Sequence, residues 1–291
     1  MITVSGLTKK YGDRTVVDDV SFTLEPGTVT GFLGPNGAGK TTTMRMMTGL
    51  VAPSGGSAMV DGRLYVELPN PGAVIGTLLD ASAVHPGRTG RTHLRLLAQT
   101  IGVSVGRVDD VLDLVGLTDA AHRRIAGYSL GMRQRLGIAG ALLAEPPVLV
   151  FDEPANGLDP EGIRWMRDLL RSHAARGGTV LLSSHLLGEV EHTVDRLLVI
   201  GNGRIVADAP VAELLGAEGT AVRAVDPAAL ALSLEAAGFH VQHGADGGLV
   251  APGTDPSQVG AVAAAAGLTL VDLRPVQRGI EDLFFQLTTV A

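Results

Sequence analysis

The sequence predicts an α/β protein in which a larger α/β domain is followed by a smaller α+β domain. Strand patterns dominate the first 34 residues, and helical periodicity dominates residues 86 to 145. Short apolar segments then alternate with an amphipathic helix, as expected for buried strands with a helix between them. At 291 residues the chain is long enough to bury one large core and a second, smaller one.

Composition and charge exclude several classes of protein. The chain has no cysteine, which rules out disulfides and thiolate metal sites. The net charge is -7, and the ten acidic and three basic side chains after residue 205 account for all of it, so we expect no nucleic-acid partner. Charged residues and prolines interrupt the apolar stretches, and the first residues show no charged n-region followed by an apolar h-region, so we expect no leader. These features predict a cytoplasmic protein; if it works at a membrane, something else must anchor it.

The first half of the chain predicts strands and then helices. ITVSGLTKKYG, RTVVDDVSFTLEPG and TVTGFLG alternate apolar and polar residues between turn signals, and TTMRMMTGL follows them as a helix. The segments THLRLLAQTIG, VDDVLDLVGL and LGMRQRLGIAGALLA have the period of helices. Residues 86 to 145 are therefore predicted to be a helical insertion.

The second half returns to a sheet. VLVFDEP and TVLLSSH are predicted to be buried strands on either side of the helix EGIRWMRDLLRSHAARG, which ends at Gly177. VIGNGRIVAD is predicted to be a hairpin with its turn at Asn202-Gly203. We place the end of this first domain at residue 215.

Residues 216 to 291 contain two predicted helices with the same start and stop signals. DPAALALSLEAAG and DPSQVGAVAAAAG each begin with an Asp cap and a proline and stop at a glycine. With the flanking segments TAVRAV, FHVQH, GLVAP and LTLVDLRP they predict a βαββαβ ferredoxin-like unit, which GIEDLFFQLT closes as a helix. We favour a docking or regulatory role for this domain over a small-molecule site, since its sequence shows no convergent charged cluster.

A phosphate-binding loop follows the third predicted strand. The segment GPNGAGKTT has Walker A spacing in the required context between a strand and a helix. Its glycines let backbone N–H groups surround phosphates, Lys40 reaches the β and γ phosphates, and Thr41 is a ligand for Mg²⁺. A turn-forming loop is the alternative, but spacing, lysine and flanking elements all favour phosphate. The predicted loop consists of Gly34, Pro35, Asn36, Gly37, Ala38, Gly39, Lys40, Thr41 and Thr42.

A pair of carboxylates ends the strand VLVFDEP. Asp152 is placed to hold the Mg²⁺ shell, and Glu153 to accept a proton from water. The alternative, that the pair only caps the next helix, is disfavoured by the phosphate loop upstream. In YSLGMRQR, Ser129 stands at the start of a helix, where free N–H groups predict an anion site.

The motifs GPNGAGKTT, YSLGMRQR, VFDEP, NGLDP and SSH occur in that order. This order resembles the ATP-binding subunit of an ATP-binding cassette (ABC) transporter, and the resemblance covers about residues 1 to 215. The signature and the ending EDLFFQLT are similar to those of bacterial drug- and antibiotic-exporter ATPases of the bacitracin or daunorubicin type. The resemblance implies a P-loop ABC cassette with a β subdomain, a core sheet and a helical subdomain.

The resemblance also implies roles for individual residues. Tyr11 becomes the aromatic that stacks on adenine, Ser129 and Gly131 the signature contacts, Asp159 the D-loop residue, and His185 the switch histidine near the γ-phosphate. Together with Lys40 and Glu153, His185 is thus a predicted catalytic residue. The implied ligands are ATP and Mg²⁺. The implied partners are an integral-membrane permease and a second copy of the chain, with ATP between the two copies.

Two features depart from the family pattern. Asp80 stands where the family usually has glutamine at the end of the segment corresponding to IGTLLD, and we expect it to contact the nucleotide and its metal. A carboxylate accepts hydrogen bonds but does not donate them. The signature, usually Leu-Ser-Gly-Gly-Gln, is Tyr-Ser-Leu-Gly-Met here, which keeps only the serine and the second glycine.

Two other functions are open to a P-loop protein. A soluble ABC-type ATPase in DNA repair or translation is the alternative to a transporter subunit, but the chain has one cassette, no long heptad insertion and no basic arm. A kinase or GTPase on the same core is disfavoured because the chain lacks an NKxD segment. We therefore expect a transport ATPase that sits on the inner face of the cell membrane through its permease.

Overall fold

The computed structural model describes residues 1–184, 193–214, 216–244 and 248–277. The chain forms two compact units, one containing Met1–Val211 and one beginning at Ala212. Among the described residues, no helix has both the length and the apolar character required to cross a bilayer.

The first unit begins with an antiparallel sheet. Its four strands have the spatial order β2-β1-β4-β5. They are β1 (Ile2–Tyr11), β2 (Arg14–Leu24), β4 (Gly55–Val60) and β5 (Arg63–Leu64). Burial follows the period of two at Ile2 and Val4 of β1 and at Val20, Phe22 and Leu24 of β2, and register shifts interrupt it before Leu7.

A six-stranded central sheet has the order β10-β9-β3-β8-β7-β6. Its strands are β3 (Val29–Leu33), β6 (Ile75–Leu78), β7 (Val148–Phe151), β8 (Thr179–Ser183), β9 (Arg196–Gly201) and β10 (Arg204–Pro210). All neighbours pair in parallel except β9 and β10, which form the predicted hairpin. Asn202 and Gly203 both have positive φ at its turn.

Helices lie between these strands. The helix α1 (Lys40–Met47) follows β3, and α2 (Gly90–Ile101), α3 (Arg107–Leu114) and α4 (Leu130–Leu142) form the predicted insertion. The helix α5 (Pro160–Ala175) precedes β8. Side chains of Thr89, Ser129 and Asp159 cap α2, α4 and α5.

One apolar core joins the two sheets of the first unit. Buried residues of β1, β2, β3, β7 and β9 pack with the helix α1. Met44 and Met47 are buried in this core, as expected of methionines that fill gaps. The helix α1, which follows the phosphate loop, is therefore held in place by the same apolar core that packs the strands together.

The second unit has the element order βαββαβ. A short helix α6 (Val211–Leu214) precedes β11 (Ala217–Ala224), α7 (Pro227–Ala236), β12 (Gln242–His243), β13 (Leu249–Pro252), α8 (Pro256–Ala265) and β14 (Leu270–Gln277). The sheet is antiparallel with the order β12-β13-β11-β14.

Capping residues and prolines determine where both helices of this unit begin. Asp226 and Asp255 cap α7 and α8, and each helix has proline in its first turn. Leu230, Leu234 and Val259 of these helices are buried in a core of their own with β11 and β13. The predicted closing helix 279–288 lies outside the described residues.

Candidate functional site

The loop between β3 and α1 is shaped by close approach to its neighbours. Every residue of β3 is buried, and α1 begins at Lys40. A Cβ on Gly39 would lie 2.8 Å from the Val16 carbonyl oxygen, and one on Gly34 would overlap the Ile200 carbonyl. Gly39 also has a φ of 110°, which side chains rarely tolerate. These glycines therefore let the loop fold tightly over the end of the sheet.

A cavity of about 460 Å³ lies over this loop. Its walls come from the loop, from the segments that follow β6 and β7, and from α4. The lining residues are Val16, Asn36, Gly37, Gly39, Lys40, Thr41, Thr42, Leu79, Asp80, Ala81, Ser82, Leu130, Gln134, Asp152, Glu153 and Asn156. The structure therefore brings most of the predicted loop together with both predicted carboxylates and Asp80.

Lys40 is a buried cation at the floor of the cavity. Its side chain is 7% exposed, and Nζ donates to the carbonyl oxygens of Gly34 at 2.5 Å and Pro35 at 3.3 Å. Burial lowers the pKa of Lys40, although the charges of Glu153 and Asp152 act in the opposite direction. A cation held here against desolvation is suited to binding an anion such as phosphate.

Asp152 is fixed by three contacts at the end of β7. Its Oδ2 accepts a 2.5 Å hydrogen bond from Thr41 Oγ1, and its Oδ1 accepts one of 2.5 Å from Ser183 Oγ. Its backbone N–H donates to the Leu78 carbonyl at 2.7 Å. The phosphate-loop hydroxyl and the carboxylate are therefore already in contact.

This contact fits Mg²⁺ better than a softer metal. Mg²⁺ is usually bound by one or two carboxylates with substrate phosphates and water. Thr41 and Asp152 supply a hydroxyl and a carboxylate oxygen, both hard donors. No cluster of three or more His, Asp or Glu ligands occurs within the described residues, as a zinc cage would require.

Glu153 adopts an unusual backbone conformation. Its φ is +51°, a region that costs a non-glycine residue about 1 kcal/mol or more. Its N–H donates to Ser183 Oγ at 2.8 Å, and its carbonyl accepts from Gln134 Nε2 at 3.1 Å. Backbone in such sparsely populated conformations is concentrated at functional sites, where it fixes the direction in which a side chain points.

Asp80 lines the cavity from the segment that follows β6. Its Oδ1 accepts hydrogen bonds from Ser82 Oγ at 2.6 Å and from the Ser82 N–H at 2.8 Å. These two bonds lower the pKa of Asp80, and the charge of Arg45 acts in the same direction. The side chain is thus an ionised acceptor, and Ser82 occupies one of its oxygens.

The predicted signature residues lie beside the cavity without lining it. Ser129 Oγ accepts from the Met132 N–H at 3.2 Å at the exposed start of α4. A Cβ on Gly131 would lie 2.5 Å from the Gly157 carbonyl, so α4 rests directly on the segment after Glu153. Asp159 ends that segment and accepts from the Gly162 N–H at 2.9 Å.

The roles predicted for Tyr11 and His185 have no support from contacts among the described residues. The Tyr11 ring is 52% exposed at the end of β1 and has Lys9 Nζ 5.0 Å from its centroid. It is not among the residues that line the cavity. His185 lies outside the described residues. Their roles beside adenine and γ-phosphate stay predictions.

Sequence reasoning missed two residues that hold the site. Ser183 bonds both Asp152 and Glu153, and Gln134 bonds Glu153 from α4. The available signals were a serine at the end of an apolar strand and a glutamine on the buried side of an apolar helix. Neither signal identifies its partner, because the contacts join segments that are distant along the chain.

Family models match both units of the chain. A model described as ABC transporter matches residues 17–156, a range that contains the phosphate loop, α4 and both carboxylates. A second model, described as a domain of unknown function, matches residues 218–281.

Curated relatives and a solved structure agree with the first model. The chain is 44% identical over 209 residues to the uncharacterized ABC transporter ATP-binding protein YhcH of Bacillus subtilis (strain 168), covering 71% of this chain and 68% of that one. It is 40% identical to the bacitracin transport ATP-binding protein BcrA of Bacillus licheniformis, covering 72% and 70%. A solved ATP-binding subunit of an ABC transporter superposes with a TM-score of 0.68 at 29% identity, covering 74% of this chain and 91% of that one. The predicted cassette fold is confirmed.

Proposed function

Since this chain belongs to the ABC transporter family as an ATP-binding subunit, we propose that it hydrolyses Mg-ATP to drive export through a separately encoded membrane permease. One observation carries the site: Lys40, Thr41, Asp152 and Glu153 all line a single cavity of about 460 Å³. A cation, two hard oxygen donors and a second carboxylate are the groups that phosphoryl transfer to water requires.

Each of these side chains has a distinct role in the proposed reaction. Glu153 takes a proton from a water molecule whose oxygen forms a bond to the γ-phosphorus, while the bond from that phosphorus to the bridging oxygen of ADP breaks. Lys40 compensates the charge on the β and γ phosphates. Thr41 and Asp152 would hold Mg²⁺, which supplies further charge neutralisation when it is bound.

We place a second copy of the chain across the nucleotide. The chain has one phosphate loop and one signature segment, and Ser129 stands exposed at the start of α4. A helix start with free N–H groups binds anions, so Ser129 and Gly131 of one copy would contact the γ-phosphate held by Lys40 of the other. The dimer then contains two sites, each with residues from both chains.

A groove next to the cavity is the proposed binding site for the permease. Its volume is about 440 Å³, and it lies between β6 and the helices α2 and α4. Leu50, which is 68% exposed, lines it, and Leu79 and Asp80 line both the groove and the nucleotide cavity. A cytoplasmic segment of a permease bound here would contact the same residues that face the nucleotide.

The names of relatives support a proposal for the cargo and the place of action. One relative at 40% identity is named for bacitracin transport, and two at 36% identity are named for lantibiotic transport. We propose that this chain serves export of an antibiotic or a similar compound from the cytoplasmic face of the membrane.

The test of this function is recovery of the partner. Affinity-tagged full chain is isolated from detergent-solubilised membranes, and the Mg-ATPase rate is measured with and without the co-purified protein. We expect a polytopic membrane protein that raises the rate, and we expect Leu50→Asp to release it while ATP binding persists. Recovery of ribosomal or DNA-repair proteins instead would contradict the transport assignment.

A further inference from the structure

A buried glutamine on α4 contacts the backbone of the proposed general base. Gln134 is 5% exposed, and its Nε2 donates to the Glu153 carbonyl at 3.1 Å. Because a carbonyl oxygen only accepts, the amide nitrogen must face Glu153. The Oε1 atom of the same side chain is buried and has no hydrogen-bond partner within the described ranges.

This arrangement is unfavourable for folding. A buried acceptor without a partner costs free energy of about 1–3 kcal/mol, whereas an apolar side chain of similar length carries no such cost. Methionine would fill the same space without the unpaired oxygen. The half-satisfied amide is therefore explained better by what it positions than by what it adds to stability.

The group that it positions is the Glu153 peptide. With φ at +51°, Glu153 is held by side chains on both flanks: Ser183 Oγ on its N–H at 2.8 Å and Gln134 on its carbonyl. Fixing both peptide groups fixes the Cα–Cβ direction, and this side chain lines the nucleotide cavity. Loss of either bond frees one of the two dihedral angles that aim the carboxylate.

The two bonds come from different parts of the fold. Ser183 ends β8 of the central sheet, whereas Gln134 lies on α4, about 7 Å along the axis from Ser129. Close contacts of Gly131 with Gly157 and of Gly137 with Leu78 make α4 pack directly on the segments that carry the site. A displacement of α4 therefore reaches Glu153 through the Gln134 amide.

We propose that Gln134 is a positioning residue: its hydrogen bond makes the orientation of the Glu153 side chain depend on the position of α4 in the same chain. The inference rests on the proposed function, in which Glu153 is the base. Gln134 lines the same cavity, and its Nε2 acts on Glu153 through the backbone carbonyl rather than through the carboxylate. It sets the fraction of time that the carboxylate points at the attacking water, so its loss lowers kcat more than it weakens ATP binding.

The experiment uses Gln134→Met in the full chain, with Gln99→Met on the exposed face of α2 as the matched control. We expect Gln134→Met to lower kcat about tenfold or more, with less than about a twofold change in KM and in the Kd for ATP. Its Tm should equal or exceed that of the wild type. The control should leave all four quantities unchanged.

Gln134→Glu separates positioning from packing. Burial raises the pKa of a carboxyl, and the protonated form regains a donor for the Glu153 carbonyl while the ionised form has none. The ratio of kcat for Gln134→Glu to kcat for Gln134→Met should therefore rise as pH is lowered. If Gln134 only packs, the fall in kcat of Gln134→Glu at higher pH should be matched by equal losses of Tm and ATP affinity.

Three outcomes decide the inference. Wild-type kcat for Gln134→Met overturns it. A loss of kcat that accompanies equal losses of Tm and ATP affinity also overturns it, because the glutamine would then be a packing residue. If Glu153→Gln, measured in parallel, keeps wild-type turnover, Glu153 is not the base and the positioning role falls with it, whereas loss of turnover in Glu153→Gln with wild-type kcat in Gln134→Met overturns the positioning role alone.

Discussion

Thr41 Oγ1 donates a 2.5 Å hydrogen bond to Asp152 Oδ2 across 111 positions of the chain. The two residues follow β3 and β7, which are parallel strands separated in the sheet by β8 alone. Because the carboxyl ends of parallel strands meet at one edge, the phosphate loop and the acidic pair come together there. This edge of the sheet is where the reaction is expected to occur.

Lys40→Ala and Glu153→Gln should abolish turnover for different reasons. Loss of the lysine removes positive charge from the phosphates and should weaken ATP binding. The glutamine keeps the shape of Glu153 but loses its basicity, so hydrolysis should slow by about 10²- to 10⁴-fold while ATP still binds. Calorimetric titration and phosphate release measure the two effects. Lys10→Ala, on the exposed end of β1, is the matched control, and wild-type hydrolysis by Glu153→Gln would show that another group is the base.

Asp80 should matter for coupling more than for affinity. It faces both the nucleotide cavity and the adjacent groove, and Ser82 holds it in its ionised form. Asp80→Ala should lower permease-stimulated ATPase activity more than it lowers ATP binding, whereas Asp80→Gln should be tolerated because it keeps an acceptor oxygen. Activity is compared in vesicles that contain the permease. Equal activity of Asp80→Ala and wild type would make Asp80 an ordinary surface acid.

The free energy of unfolding should fall as pH is lowered from about 7 to about 5. Burial lowers the pKa of His173, and the neighbouring Arg176 charge acts in the same direction. The unfolded chain takes up this proton near the ordinary pKa of about 6.5, and the folded chain resists it, so protons favour unfolding. His93, whose pKa burial also lowers, adds to the effect.

Urea unfolding at several pH values measures this dependence. His173→Gln should flatten it in part, since the amide stays neutral and still donates to the Pro147 carbonyl that His173 contacts at 3.3 Å. His122→Gln, at an exposed position, is the control. An unchanged slope in His173→Gln would mean that other groups determine the acid sensitivity.

A chain ending near residue 215 should still bind ATP. The second unit begins at Ala212 and has its own buried cluster, which includes Val222, Leu230 and Leu249. Removing it should therefore leave the cavity residues in place, and fluorescence titration with a nucleotide analogue measures their competence. An insoluble truncated protein without bound nucleotide would mean that the tail completes the first core.

Local signals account for most of what the sequence could predict. The phosphate loop was predictable because glycine spacing, lysine and a strand-to-helix context specify one backbone shape. The ends of α7 and α8 were predictable because Asp226 and Asp255 cap them from within the same turn. Such features depend on residues only a few positions apart.

Contacts between distant segments could not be predicted in this way. The bonds of Gln134 and Ser183 to Glu153 depend on how α4 and β8 pack against the end of β7, and no periodicity encodes that packing. Glu153 has its positive φ between these two bonds. The resemblance assigned a role to Tyr11 from its motif position, yet its ring does not line the cavity.

The most direct test of the account mixes two inactive chains, Ser129→Arg and Lys40→Ala, and measures ATP hydrolysis. If ATP is held by the phosphate loop of one copy and the signature helix of the other, the heterodimer has one site with both substitutions and one with neither. The mixture should then regain partial activity that neither chain has alone. Activity no higher than the sum of the separate chains, with heterodimers recovered through a different affinity tag on each chain, would contradict a site shared between two copies.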